Sequence, residues 1–506
     1  MRLDLSDTAT LVPSAVSGHP PRCGVVDLGS NSVRLVVFEG RGRNPVAIFN
    51  EKAVLGLGRG LQTTGKLNEA AVPQALTVMA RYHEVARAMG AEPLEVLATA
   101  AMRDATNGPD FAAALQERMP GVPIHILTGE EEARLSAEGV LMGFPGADGI
   151  LGDLGGGSLE LVELNRGAIG RMVSLPLGAI RLSDRAGGDV ARARGIAEDE
   201  LAQVPWLSGG RDRDLYLVGG AWRALAKIHI AQTSYPLSIV HHYVLRREEA
   251  RDLCGLLIAA TRRTLERIPG APSKRIQDLP FAAVALRRLL RATGARRVVF
   301  SANGMREGWY ARQIPQEARA LDPLLCAGRE MAERYGRDTA MPQALVDWTA
   351  PLWKQESPAD AALREVACWL SDIGSHDHPD YRAEQSFLRV LRQPGIGLDH
   401  HERAFLALAT ALRYEPEPDA TFLTPARMLL DSGAMRRAEM LGAVLRLAYT
   451  LSGGTPALLS RTSLHVAGGV LTLRLAGGGV FAGDSVQRRV ETLAATLGME
   501  GMVDPG

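Results

Sequence analysis

Two strings in the chain carry the residue types that bind phosphate. Residues 24–38 read GVVDLGSNSVRLVVF and residues 150–164 read ILGDLGGGSLELVEL. In each, an aspartate precedes a glycine turn: Asp27 before Gly29, Ser30, Asn31 and Ser32, and Asp153 before Gly155, Gly156, Gly157 and Ser158. Glycines let backbone N–H groups converge on an anion with no side chain in the way. The hydroxyls and the asparagine amide add donors, and a carboxylate before the turn can hold magnesium, a hard ion that prefers oxygen. The same residues build plain hairpin turns; two matched loops in one chain favour the phosphate reading. The copies differ where Arg34 in the first corresponds to Glu160 in the second. Ser158 and Glu160, two apart on a strand, share a face. Asp153 and Glu160 could therefore bracket one metal while the first loop cradles phosphate.

Other segments offer chemistry with an ordinary alternative beside it. In ILTGEEEARLSAEGV, Thr128 followed by Glu131 has the form of a capping box at a helix start. The functional alternative turns Glu131 into the cleft to orient or deprotonate a water, its pKa raised by phosphates and burial. Arg103, after an apolar strand, could clamp a terminal phosphate or be a surface arginine. Gly219–Gly220 precedes a helix whose N-terminus could meet an anion or nucleotide, a weak signal alone, as is SANGMREG. His376, His378, His400 and His401 lie in loops between helices and read as solvated or structural.

These residues need a scaffold, and the strings themselves indicate one. Each copy reads as strand, tight turn, strand, because apolar alternation resumes after the turn. Between the copies come an amphipathic helix (about 69–89), a strand (94–99), a short helix and a strand running into Gly129. After the second copy come further strands and two strand–glycine turn–helix units, LYLVGGAWRALAKI and the segment from Arg296. Alternation of this kind indicates α/β layers. Helical periodicity dominates residues 324–451, and SLHVAGGVLTLRLAGG reads as a β-hairpin before a helix. The expected organisation is a frayed leader (1–21), one lobe over 22–145, a second over 146–315, and a mostly helical domain over 320–506.

Composition narrows the class. The chain has 506 residues, 46% hydrophobic and 23% charged, with 57 basic and 57 acidic side chains. No global charge recruits nucleic acid or a membrane surface, and no apolar run reaches the roughly 20 residues of a membrane span. Only five basic residues are lysines, a bias that base composition explains more simply than phosphate binding. Four scattered cysteines without a CxxC pair argue against disulfides or zinc and for a reducing cytoplasm.

In series, DLGSNSVRL, TAAMRDA, TGEEEARL, DLGGGSLEL and the RxG of MREG resemble the exopolyphosphatase/guanosine pentaphosphate phosphohydrolase family, over nearly the whole chain after Pro21. That family belongs to the actin-like (ribonuclease H-like) ATPase and sugar-kinase superfamily. The resemblance implies two actin-like lobes followed by a helical domain similar to the HD phosphohydrolase fold. It implies Glu131 as catalytic base, Asp153 and Glu160 for magnesium and phosphate handling, Arg103 and both glycine loops as phosphate holders, and a homodimer. The implied activity is processive, Mg2+-dependent hydrolysis of the terminal phosphate of inorganic polyphosphate. Guanosine pentaphosphate hydrolysis in the stringent response, a sugar or acetate kinase, and a non-enzymatic polyphosphate sensor are the alternatives. Two departures stand out. Ala221–Trp222 replaces a threonine usual after the glycine pair, and Ser371–Asp372 stands where a metal-binding His-Asp pair would fall.

Overall fold

The computed structural model describes residues 20–394, 397–476 and 483–505; the expected leader lies outside them except for its last two residues. The first sheet contains β1 (Arg22–Leu28), β2 (Ser32–Glu39), β3 (Val46–Val54), β4 (Ala91–Ala98) and β5 (Ile124–Ile126), in the order β3-β2-β1-β4-β5. The first three are antiparallel neighbours, whereas β4 lies parallel to β1 and β5 parallel to β4. A parallel return needs a crossover, and the helix Val72–Ala88 supplies it. Its Ala75, Met79, Tyr82 and Ala86, spaced for one helical face, are buried.

The second sheet contains β6 (Gly149–Leu154), β7 (Leu159–Asn165), β8 (Ala168–Leu175), β9 (Asp214–Val218), β10 (Val244–Arg246) and β11 (Arg297–Phe300). Its order is β10-β11-β9-β6-β7-β8. Read from β8 to β11, it repeats the first sheet strand for strand, with β10 added antiparallel on the edge. The duplication visible in two strings therefore extends to two whole sheets.

The lobes are joined by two helices that exchange sides. Helix Gly129–Gly143 follows β5 yet packs Ala133, Ala137 and Val140 against Leu151, Val162 and Val218 of the second sheet. Helix Met305–Gln313 follows β11 yet packs Trp309 and Tyr310 against Val25, Val36 and Phe38 of the first. The two helices cross in backbone contact. A Cβ at Gly139 would lie 1.9 Å from the Gly304 carbonyl oxygen, and one at Gly308 only 1.8 Å from that of Leu135. No other residue type fits either place. The end of the first lobe expected at residue 145 thus includes a helix shared by both lobes: Ala133, Ala137 and Val140 pack on the second sheet, while Leu135 and Met142 join the cluster of the first.

From Pro323 the chain is mainly helical, with its own apolar core. The expected hairpin is present as β12 (Thr462–Ala467) and β13 (Val470–Leu475), turned by Gly468 and Gly469 at φ 58° and 79°. Positive φ at both positions is what a two-residue hairpin turn of type I′ requires. Helix Asp484–Leu497 follows, and β14 (Glu500–Asp504) pairs parallel to β13. Where a metal-binding pair would fall, the Asp372 carboxylate accepts from Arg337 at 2.8 and 3.0 Å and from Arg413 at 3.0 Å. Ser371 donates to the Cys368 carbonyl. Of the four histidines, His376, His378 and His401 are exposed, and His400 is buried against the second lobe.

Candidate active site

The two glycine loops are the same turn used twice. Gly29 N donates to the Ser32 carbonyl at 3.1 Å, and Gly155 N to that of Ser158 at 3.0 Å. They abut across the interlobe cleft, so closely that a Cβ at Gly157 would lie 2.9 Å from Ser30 Oγ. Register then places a matching row of side chains beside each loop. Across β1, β2 and β3 it runs Asp27, Arg34, Lys52; across β6, β7 and β8 it runs Asp153, Glu160, Ser174. The first row is mainly cationic and the second mainly acidic.

All of these side chains but Ser174 line a cavity of about 490 Å³ between the lobes. Its lining includes both loops, Gly219–Gly220, the acids Asp27, Glu132, Asp153, Glu160 and Asp278, and the cations Arg34, Lys52, Arg223, Lys227, Arg275 and Arg306. Among the described residues no aromatic side chain lines it. On the acidic side, Ser136 donates to Asp153 Oδ2, and Ser174 Oγ donates to Glu160 Oε1 at 2.8 Å. Burial raises the Asp27 and Asp153 carboxyls above their ordinary range. Burial, then the charge of Asp153, pushes Glu160 up to about 7. Glu132 is raised well above its ordinary value by burial and by Glu160. On the basic side, burial and the charges of Arg275, Arg34 and Arg223 bring Lys52 down to about 7. Arg223 is lowered to about 10, by burial first and then by Arg306 and Arg34.

The helix that begins at Gly129 separates two neighbouring glutamates. Glu131 accepts from Thr128 N at 2.7 Å and Thr128 Oγ1 at 2.9 Å, while its own N–H donates to Thr128 Oγ1 at 3.2 Å. That completes the reciprocal cap and holds Glu131 at the exposed surface, outside the cavity lining. The next residue is turned about 100° around the helix. Glu132 is accordingly only 7% exposed and faces the cavity, one turn from Ser136. Arg103, expected as a phosphate clamp, instead donates through Nη1 to the Leu127 carbonyl at 2.6 Å and to Glu132 Oε1 at 2.7 Å. Asp104 beside it pairs with Arg181 across the cleft.

The family model for the Ppx/GppA phosphatase family matches residues 36–317, and that for the exopolyphosphatase C-terminal region matches residues 324–502. The chain belongs to the Ppx/GppA phosphatase family. Exopolyphosphatase 1 of Mycobacterium tuberculosis is 29% identical over 312 residues, covering 59% of this chain and 89% of that protein. Retrograde regulation protein 2 of Saccharomyces cerevisiae is 28% identical over 462 residues, covering 81% of this chain and 74% of its own. Among solved structures, an exopolyphosphatase from Cytophaga hutchinsonii superposes with a TM-score of 0.53 at 23% identity, covering 58% of this chain and 99% of that one. That likeness is one of fold, and it agrees with the two-lobed, mixed-sheet architecture.

Within this Ppx/GppA chain, the structure gathers Asp27, Gly29, Ser30, Asn31, Ser32, Gly155, Gly156, Gly157, Ser158, Asp153, Glu160, Gly219 and Gly220 around one cavity. It leaves Glu131 outside and gives Arg103 to Glu132. Trp222, the departure after the glycine pair, is fully buried and donates to the Ala282 carbonyl at 2.9 Å, so it serves the core. The sequence reading passed over Glu132, Ser136, Lys52, Arg223, Lys227 and Arg275. Some were readable: Glu132 and Ser136, like Arg223 and Lys227, are four apart and share a helix face. Lys52 and Arg275 sit in no motif and reach the cavity only through the tertiary fold.

No group of three or more His, Cys, Asp or Glu residues is arranged as a metal cage among the described residues. The charges of Glu160 and Asp153 nevertheless raise the pKa of buried Glu132, that of Asp153 raises Glu160, and Asn31 Oδ1 is buried without a hydrogen-bond partner. A hard cation held by one or two carboxylates and completed by phosphate oxygens fits such a donor set.

Proposed function

We propose that the chain is an exopolyphosphatase in which Glu132 is the general base. As a member of its family it is a hydrolase of phosphoanhydride bonds. The observation that carries the reading is Glu132 itself: a buried carboxylate, oriented by Arg103, facing a cation-lined cavity where two phosphate loops meet. The terminal phosphate rests on the amides of residues 29–32 and 155–158. Arg34, Arg306 and Arg223 neutralise its oxygens, and Lys52, Lys227 and Arg275 hold the phosphates behind it. Glu132 accepts a proton from the attacking water as the new P–O bond forms and the bridging P–O bond breaks. The electron pair leaves on the shortened chain. In such transfers positioning and charge stabilisation supply most of the catalysis. A divalent cation, for which we propose Mg2+, would be held by Asp153 and Glu160 with Asp27 nearby and would supply further charge neutralisation.

Polyphosphate is favoured over guanosine pentaphosphate because the lining offers cations along its length and no ring to stack on a base. The test is phosphate release from polyphosphate and from guanosine pentaphosphate at equal concentration, with and without Mg2+. Faster release from polyphosphate supports the proposal; release from the nucleotide alone overturns it.

A further inference from the structure

A hydrogen-bonded path runs from the helical C-terminal region to the phosphate cavity. Segment 233–243 leaves helix Gly220–Gln232 and crosses to that region, where Leu237 is buried in its core. There the His400 ring is used at both nitrogens. Nδ1 lies 2.9 Å from the Tyr235 hydroxyl, and Nε2 lies 2.9 Å from the His241 carbonyl oxygen. A carbonyl only accepts, so Nε2 carries the hydrogen and Nδ1 takes that of Tyr235. Burial keeps His400 neutral by lowering its pKa to about 4.

His241 continues the path. Its Nδ1 accepts from the Ala302 amide at 3.2 Å, and the Ala302 carbonyl accepts from Arg223 Nη1 at 2.8 Å. Ala302 and Arg223 both line the cavity. The Ala302 turn is pinned by Ser301, whose Oγ donates to the Asn303 carbonyl at 2.8 Å and accepts from Asn303 N at 3.0 Å. The same imidazole fills the space beside Gly143, where a Cβ would lie 2.7 Å from Cε1 and Nε2. Gly143 ends the helix that carries Glu132 and Ser136. One buried residue therefore touches, through its ring, the peptide that aims a cavity arginine and the end of the helix bearing the base, and, through its main-chain carbonyl, the C-terminal region.

We propose that His241 is a positioning residue: it aims Arg223 at the substrate phosphates through Ala302, and His400 ties that aim to the docked C-terminal region. The inference rests on the phosphate-binding reading of the cavity. Arg223 is a single phosphate contact among several, so mis-aiming it weakens binding more than it slows the chemical step.

The experiment is a double-mutant cycle on the full chain, reading KM and kcat for polyphosphate together with equilibrium binding of polyphosphate. His241→Ala raises KM about 5- to 10-fold, the scale of one charge-assisted contact, with kcat changed far less. His241→Asn, which keeps an acceptor for the Ala302 amide, recovers most of the loss. The double variant His241→Ala/Arg223→Ala is no worse than Arg223→Ala alone, because both act through one group. His400→Leu gives a smaller rise of the same kind. An unchanged KM in His241→Ala, or effects that add in the double variant, overturns the proposal. Should His241→Ala not fold, His241→Leu, which keeps bulk but offers the Ala302 amide no acceptor, takes its place in the cycle with Arg223→Ala. Wild-type protein that releases no phosphate from polyphosphate overturns the functional reading instead, and the binding measurements then decide the role of His241.

Discussion

Two adjacent glutamates give the sharpest test, since Glu131 and Glu132 differ in environment far more than in chemistry. Replacing Glu132 by Gln keeps its volume and a donor–acceptor group but removes the base. The expected loss in kcat is about 100-fold or more, or about 2.7 kcal/mol of transition-state stabilisation. KM changes little, because the loops and the six cations of the lining remain in place. Stability changes little as well. The variant relieves repulsion with Glu160 and leaves Arg103 bonded to the Leu127 carbonyl. Glu131→Ala should do the opposite. It removes the carboxylate that accepts from Thr128 N and Oγ1, leaving the first turn of the helix without its reciprocal cap. Loss of a cap costs roughly 1 kcal/mol, a fall of roughly 2–4 °C in melting temperature for a sizeable domain. Turnover should stay within about threefold of wild type, since the side chain forms no part of the reacting group. Phosphate release under substrate saturation and thermal melts on both variants separate the two. A Glu132→Gln enzyme with near-wild-type kcat, or a folded Glu131→Ala enzyme with a collapsed one, would refute the assignment.

Other expectations follow from the cavity and the supporting packing. Lys52 is held near a pKa of about 7, and phosphate binds its protonated form. KM for polyphosphate should therefore rise about three- to tenfold between about pH 7 and about pH 9. Lys52→Arg, charged throughout that range, should flatten the rise, and a rise that persists would exclude Lys52 as its source. Gly308→Ala drives a methyl into the Leu135 carbonyl at a crossing with no spare room. It should destabilise by about 1–3 kcal/mol and reduce activity by shifting the lobes; a melt and turnover like wild type would show that the crossing can give. Asp372→Ala leaves buried Arg413 facing Arg337 without the carboxylate between them. A loss of about 3 kcal/mol is expected, read by thermal or urea unfolding, and a loss under about 0.5 kcal/mol would mean the arginines find other partners.

The sequence disclosed what is local and repeated. The β1-turn-β2 and β6-turn-β7 units were legible because strand alternation, turn glycines and preceding aspartates lie within fifteen residues of each other. The hairpin around Gly468–Gly469 was legible for the same reason. The Glu131/Glu132 distinction was not. A reciprocal cap directs the Glu131 side chain back toward Thr128, and only the next position then faces inward. Lys52 and Arg275 were beyond reach because the row Asp27–Arg34–Lys52 exists only once β3 has paired with β2, and Arg275 comes from a segment with no motif. The exchanged helices were hidden too. Amphipathic spacing identifies a buried face but not which sheet will cover it.

That exchange has a consequence for how the chain is made. The faces of β1 and β2 that bear Val25, Val36 and Phe38 are covered by Trp309 and Tyr310, which leave the ribosome long after the strands do. At roughly 5–20 residues per second the wait is roughly 15–60 s. Throughout it the nascent first lobe can cover that surface only in part, with Leu135 and Met142 of helix Gly129–Gly143, whose Ala133, Ala137 and Val140 wait for a second sheet that has yet to be translated. Each lobe's core is completed by residues that follow or precede it in the chain. Fragments cut between them would lack a wall each, and the cleft forms only in the step that completes both cores.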